Sequence, residues 1–268
     1  YPVINWRCRN DTKGQVGVQN FLIWRCAVSF TIMAQKIKLS DYIVNYLASI
    51  GVEDVFMITG GGAMHLNESF GNHPHVGYYC NHHEQAGAMA AEAYARIKGL
   101  GVCVVTTGPG GVNTLNGVVG AWLDSIPMLI VSGQVKRETI KPIKKLRQLG
   151  IQELNIVDIV KPIAKYAVTI WDPEEIRYHL EKAVYLAKSG RPGPVWIDVP
   201  LDVQAAYVEK NGLVGFHPRE IKSLFNKTKL VEQVGETLGL LRNSRRPVIF
   251  AVKEPGSACR VRHAACQD

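Results

Sequence analysis

The sequence has no apolar run of the roughly 18–20 uncharged residues that a membrane-crossing helix needs. The nearest approach, residues 21–34, is interrupted by Arg25. Arg7, Arg9 and Lys13 ahead of it give that stretch the layout of a short signal peptide, but it is broken and too brief, so no membrane partner is expected. Cysteine is sparse where the pattern is regular. Cys8, Cys26, Cys259 and Cys266 lie in the two ends and only Cys80 and Cys103 in the middle, with no CxxC pair. That excludes a disulfide framework and a paired-thiolate zinc site, and it points to a reducing, cytoplasmic compartment with both middle cysteines in buried strands. There is no GxxxxGK[ST] and no GxGxxG followed by an acidic residue, so phosphate-loop and dinucleotide-binding signatures are excluded. His73, His75, His82, His83 and Glu84 crowd together without the HExxH spacing that sets two imidazoles on one helical face, and no metal site is expected there. The net charge is +8, yet no basic run interleaved with aromatics is present, and nucleic acid is not an expected partner.

What is present from Leu39 onward is an alternation of strand and helix signals. Ile43, Val44, Leu47 and Ile50 share one helical face and Gly51 follows as a stop. Residues 54–59 read as a strand ending in Gly60-Gly61-Gly62, and residues 76–80 as a second strand. Residues 84–98, rich in Ala, Met, Glu and Arg, read as a helix stopped by Gly99. Strand 102–106 leads to a Gly-Pro-Gly-Gly turn at 108–111 and a helix to about Leu123; strand 127–132 follows. Asp172, Pro173 and Glu175 form a helix-start signature for a helix running to Lys188, and Pro192 and Pro194 introduce strand 195–199. Buried strands alternating with helices imply an α/β fold: a mostly parallel sheet covered on both faces.

The ends are different. Residues 1–32 show neither period and carry Trp6, Trp24, Cys8 and Cys26, while Met33 resembles an initiation point. The expected organisation is a non-native or disordered extension over 1–32, one domain over 33–204, and a linker over 205–227. The opening of a second α/β domain would occupy 228–252, with a helix at 229–241 and a strand at 247–252, and a non-native tail 253–268.

Four segments carry chemistry when taken together. They are Thr59-Gly60-Gly61-Gly62-Ala63; His83-Glu84-Gln85-Ala86 with Ala91-Glu92-Ala93-Tyr94-Ala95-Arg96; Thr107-Gly108-Pro109-Gly110-Gly111-Val112-Asn113; and Leu123-Asp124-Ser125-Ile126-Pro127 leading to Gly133-Gln134-Val135. In this order and spacing, continued by Gly190-Arg191-Pro192-Gly193-Pro194-Val195 and Ile197-Asp198-Val199-Pro200, the sequence resembles the pyrimidine-binding domain of thiamine-diphosphate-dependent enzymes. Within them it is most like the large subunit of acetolactate synthase.

The resemblance implies a thiamine-diphosphate-binding fold and a cofactor-activating role for Glu84. The matching Glu hydrogen-bonds N1′ of the aminopyrimidine and favours the tautomer that deprotonates the thiazolium. It further implies Thr59, Gly60, Gly61, Thr107, Pro109 and Asn113 as cofactor-binding, and Gly62 and Gln152 as facing a 2-keto acid substrate. Thr59 stands where most acetolactate synthases have Pro, and Ile151 where an aromatic residue precedes the glutamine. The implied reaction is decarboxylation of a 2-keto acid such as pyruvate and transfer of the two-carbon unit to a second keto acid. A related decarboxylase or oxidase, or a non-catalytic interaction domain, remains open, as does any use of FAD. Family members bind the cofactor's diphosphate through Mg²⁺ with a Gly-Asp-Gly segment and a later Asn on a second domain, across a homodimer. The 268 residues hold no such segment, so the expectations are a homodimer or higher homo-oligomer, with one wall of the site on this chain.

Overall fold

The computed structural model describes residues 36–140, 146–221 and 227–248. Expectations for residues 1–32, 249–252 and 253–268 lie outside them. Eight strands are seen: β1 (Lys36–Lys38), β2 (Asp54–Met57), β3 (Gly77–Cys80), β4 (Gly101–Val105), β5 (Met128–Gln134), β6 (Tyr166–Thr169), β7 (Pro194–Pro200) and β8 (Tyr207–Glu209). The helices are α1 (Leu39–Ser49), α2 (Met64–Asn72), α3 (Glu84–Lys98), α4 (Pro109–Asn113), α5 (Leu115–Leu123), α6 (Ile156–Val160), α7 (Ile176–Lys188), α8 (Leu201–Ala205) and α9 (Lys227–Asn243).

Strands β2 to β7 form one parallel sheet in the order β3-β2-β4-β5-β7-β6. The side-chain period of two explains how it is covered. Val102, Val104, Leu129, Val131, Val195, Ile197 and Val199 point to one face, where α1, α2 and α7 bury Leu47, Phe70 and Leu180. Cys103, Val105, Met128, Ile130 and Trp196 point to the other, under the alanines of α3, Val118 of α5 and Ile156 of α6. Three layers result. The small residues matter: a methyl at Gly117 would lie 2.7 Å from the Ala88 Cβ, so α5 rests directly on α3.

The order of the strands places a site. The chain leaves β2 by α2 on one face to reach β3, then returns by α3 on the opposite face to β4, which lies on the other side of β2. The loops after β2 and β4 therefore diverge, and a crevice opens between the carboxyl ends of these two strands, the usual ligand position in such sheets.

Several details differ from the sequence reading. Cys103 is buried as expected, but Cys80 is exposed: β3 is an edge strand that pairs only with β2, and its neighbour Tyr79 is 56% exposed. The helix read through to Leu123 is two helices, broken at Thr114, whose hydroxyl donates to the Gly111 carbonyl at 2.7 Å. Asp172 caps its turn by accepting from the Glu174 N–H at 3.0 Å, while Glu175 pairs with His179 instead of closing a capping box. The stretch 205–227 is tied to the body at its start, where β8 pairs antiparallel with β1, and Leu213 is buried. The amphipathic α9 is present and exposes Leu230, Val231, Val234 and Leu238.

Beneath the carboxyl edge lies a buried polar cluster. Asp198 accepts from Ser132 Oγ at 2.6 Å, Gln134 Nε2 at 3.1 Å and Thr169 Oγ1 at 3.1 Å, and Trp196 Nε1 donates to Ser132 Oγ at 2.8 Å. Burial pushes the Asp198 carboxyl up to about 6, against these three hydrogen bonds that favour the anion. The folded chain then holds this proton more tightly than the unfolded chain, whose carboxyl sits near its usual ~3.9. Its contribution to stability is present at low pH and is lost as pH rises through about 6. Asp198→Asn cannot ionise. Relative to the native chain, its unfolding free energy should improve by about 2 kcal/mol between roughly pH 4 and pH 7. Urea titrations of both proteins at the two pH values measure this, and an unchanged difference would refute it.

Candidate active site

Glu84 is the first residue of α3, behind His83, whose Nδ1 accepts the Gln85 N–H at 3.1 Å. An acidic side chain at this end of a helix suits the helix dipole. Glu84 is half-buried, and its Oε2 accepts from Asn113 Nδ2 at 2.9 Å. Its Oε1 accepts no hydrogen bond among the described residues and lies against Gly110, where a methyl group would stand 3.4 Å away. The buried Cys103 thiol lies below, pushed up to about 12 by burial and by the Glu84 charge. One carboxylate oxygen is thus fixed from the protein side and the other faces a position without a side chain.

The loop after β4 supplies that position. Gly108 has φ +58°, a backbone that glycine adopts without penalty. Pro109 begins α4, and Gly110 N–H donates to the Thr107 carbonyl at 3.3 Å. Thr107 is buried, and its Oγ1 has no hydrogen-bond partner among the described residues. The loop after β2 approaches at backbone distance. Gly62 N–H donates to Thr106 Oγ1 at 3.1 Å, and methyl groups at Gly60 and Gly62 would collide with Thr106 and Thr107 at 2.5 Å and 2.0 Å. Gly61 has open space around it, and Thr59 is exposed at the rim.

Gln152 comes from a separate turn, between β5 and α6. It has φ +62°, one of two non-glycine residues with positive φ among those described. The turn is held by Glu153, whose carboxylate accepts the Leu149 N–H at 2.5 Å and the Gly150 N–H at 3.3 Å. The Gln152 carbonyl sits where a side chain on Gly108 would be, at 2.1 Å, so Gln152 borders the crevice with its side chain exposed. The structure therefore brings Gly60, Gly62, Glu84, Thr107, Gly110, Asn113 and Gln152 to one edge of the sheet. Gln134 is buried, with Nε2 donating to the Leu154 carbonyl at 2.9 Å, and is part of the floor. Gln204, on α8, was not singled out from the sequence, although its Nε2 donates to the Gly62 carbonyl at 2.7 Å.

Residues 37–159 match the family described as thiamine pyrophosphate enzyme, N-terminal TPP binding domain. This segment is a thiamine pyrophosphate enzyme N-terminal domain. The chain is also 37% identical over 222 residues to acetolactate synthase 2, chloroplastic, of Zea mays, a match covering 80% of this chain and 33% of the relative. It is 37% identical over 226 residues to acetolactate synthase 1, chloroplastic, of Oryza sativa subsp. japonica (81% and 33%). Against acetolactate synthase, chloroplastic, of Arabidopsis thaliana it is 34% identical over 220 residues (81% and 32%). The chain spans about a third of the length of these relatives.

The TPP-binding domain has a donor set that fits the pyrimidine end of thiamine pyrophosphate (thiamine diphosphate). That ring is flat and needs hydrogen-bond partners along its edge and close backbone on its face. A free carboxylate oxygen, an unpartnered buried hydroxyl at Thr107 and side-chain-free contact at Gly110 meet those needs. Among the described residues no three His, Cys, Asp or Glu side chains stand close enough to hold a metal ion, and none of their helices is long and apolar enough to cross a membrane.

The glycine geometry is open to direct test. Gly108→Ala should destabilise the domain by about 2–4 kcal/mol, through positive φ and collision with the Gln152 carbonyl. Gly61→Ala, which meets nothing, should stay within about 0.5 kcal/mol. Denaturant unfolding of the two variants would show this ordering, and equal effects would contradict it.

Proposed function

We propose that this chain supplies the pyrimidine-side wall of a thiamine-diphosphate site in a carboligase of the acetolactate synthase type. The enzyme would act on a 2-keto acid such as pyruvate and pass the two-carbon unit to a second keto acid. The observation that carries the proposal is the Glu84 carboxylate at the topological switch point, anchored through Oε2 by Asn113 and open at Oε1 beside Gly110. When bound, thiamine diphosphate supplies the electron sink for decarboxylation of the keto acid.

The chain's own residues have distinct tasks in this reading. Glu84 holds a proton at the pyrimidine N1′ through Oε1, and Asn113 keeps the carboxylate turned toward it. Thr59, Gly60, Gly61, Thr107 and Pro109 border the ring, with the Thr107 hydroxyl available to a polar atom of the ligand. Gly62 and Gln152 stand toward the keto acid. The diphosphate and its Mg²⁺ are assigned to a second wall, contributed across a homodimer. The reducing, cytoplasmic placement read from the cysteines belongs to the same proposal, whereas the names of the relatives above place those proteins in the chloroplast.

Calorimetric titration of thiamine diphosphate with Mg²⁺ tests the division into two walls. The 268-residue chain alone should give little or no heat, and the same chain extended to its relatives' length should bind. In the extended protein, Glu84→Gln should weaken binding by about 10–100-fold, as expected for losing a charged hydrogen bond. Tight binding by the short chain alone, or an extended protein indifferent to Glu84→Gln, would overturn the proposal.

A further inference from the structure

Gly62 is fixed from behind by a residue far away in sequence. Gln204 lies on α8, after β7, and is 0% exposed. Its Nε2 donates to two carbonyls, that of Gly62 at 2.7 Å and that of Val199 at 2.8 Å. Both amide protons are thereby used, and Oε1 is buried without a partner among the described residues. A buried, unsatisfied acceptor costs stability, and such a group calls for an explanation. What it holds is the carbonyl of the glycine loop that packs against β5. On β5, Gly133 presents bare backbone to the same carbonyl, where a methyl would lie 2.1 Å from the Gly62 oxygen. Gly62 is therefore gripped at three points: its N–H by Thr106 Oγ1, its carbonyl by Gln204, and its flank by Gly133.

We propose that Gln204 is a positioning residue of the site: by fixing the Gly62 carbonyl it sets the orientation of the glycine loop against Thr107 and the crevice. This inference rests on the reading of that loop as the site's mouth. The Gly62 carbonyl shares a rigid peptide plane with the Ala63 N–H, which donates to the Gly60 carbonyl at 3.0 Å, so turning that plane would break this bond and release Gly60. A loop of three glycines has the widest backbone freedom of any sequence, so an external hold is required for a single conformation. Asn67 Nδ2, donating to the Gly60 carbonyl at 3.3 Å, is the only other side-chain bond to these carbonyls among the described residues.

Amide hydrogen exchange on the intact 268-residue chain tests the inference. In the unaltered protein the Gln204 side-chain amide protons should exchange far more slowly than those of the exposed Gln152. In Gln204→Leu, which keeps the bulk and removes both donors, residues 60–63 should exchange on the order of tenfold faster, with β4 and β5 unchanged. Gln204→Glu should show the same loss near neutral pH. It should regain protection, relative to the native chain at equal pH, once its carboxyl is protonated and can donate again. A role in general stability alone would move β4 and β5 together with the loop in both the loss and the recovery. The inference is overturned if the Gln204 amide exchanges like that of Gln152, if loop and strands lose protection together, or if the Glu variant does not recover in acid. None of these readouts needs cofactor, so failure of the thiamine-diphosphate reading would show only in the calorimetric titration.

Discussion

Where β2 and β4 end side by side, their following segments turn to opposite faces of the sheet, and the glycines after β2 let the Thr106 and Thr107 side chains pack against bare backbone. The crevice depends on that constraint. Gly60 and Gly62 lie on Thr106 and Thr107, Gly133 lies on the Gly62 carbonyl, and Gly108 lies on the Gln152 carbonyl, each at a distance that a methyl group would violate. The segments after β2 and β4, strand β5 and the turn before α6 thus meet with bare glycine backbone on one side of each contact. Such contact carries a requirement: peptide groups taken out of water need partners. Thr106, Asn67 and Gln204 supply them for the glycine loop.

The same logic extends beneath the site. Asp198 lies within β7, yet through Gln134 it is joined to the Leu154 carbonyl and so to the turn that carries Gln152. A buried cluster in which Trp196, Ser132, Asp198, Thr169 and Gln134 satisfy one another is stiff, because each bond restricts the next. Stiffness matters here. A binding group held before the ligand arrives loses less freedom on binding, and Gln152 holds a left-handed backbone that only a well-determined turn keeps.

Much of this was legible in the residues. The helices at 39–49, 84–98 and 176–188 follow from their periods and stops, and the three central strands from unbroken apolar runs, since strands covered on both faces need no alternation. Other parts were not. Tyr166-Ala-Val-Thr is too short and too ordinary to announce β6, and its place at the sheet edge comes from pairing with β7. Helix α2 reads Met-His-Leu-Asn-Glu-Ser-Phe-Gly-Asn, with few strong helix formers, and is held by burial of Leu66 and Phe70. The exposure of Cys80 depends on strand order, which local sequence does not encode. Glu84 and the glycine segments stood out because their order and spacing resemble those of a known family. Gln204 did not, because a glutamine 142 residues from its partner gives no local signal.

The distribution of burial around Glu84 explains why the described residues form a wall and not an enclosure. Below it, Cys103 and the alanines of α3 are covered; above it, Asn113 and Gln152 are exposed. A carboxylate that must hold a proton at a ligand gains strength when water is kept away, and nothing among the described residues excludes water on the outer side. The inner half is already exact in its contacts, with Asn113 fixing one oxygen and Gly110 leaving space at the other. Orientation and exclusion are therefore separable in this architecture: the sheet edge and its glycines provide the first, and the second wall proposed above would provide the other.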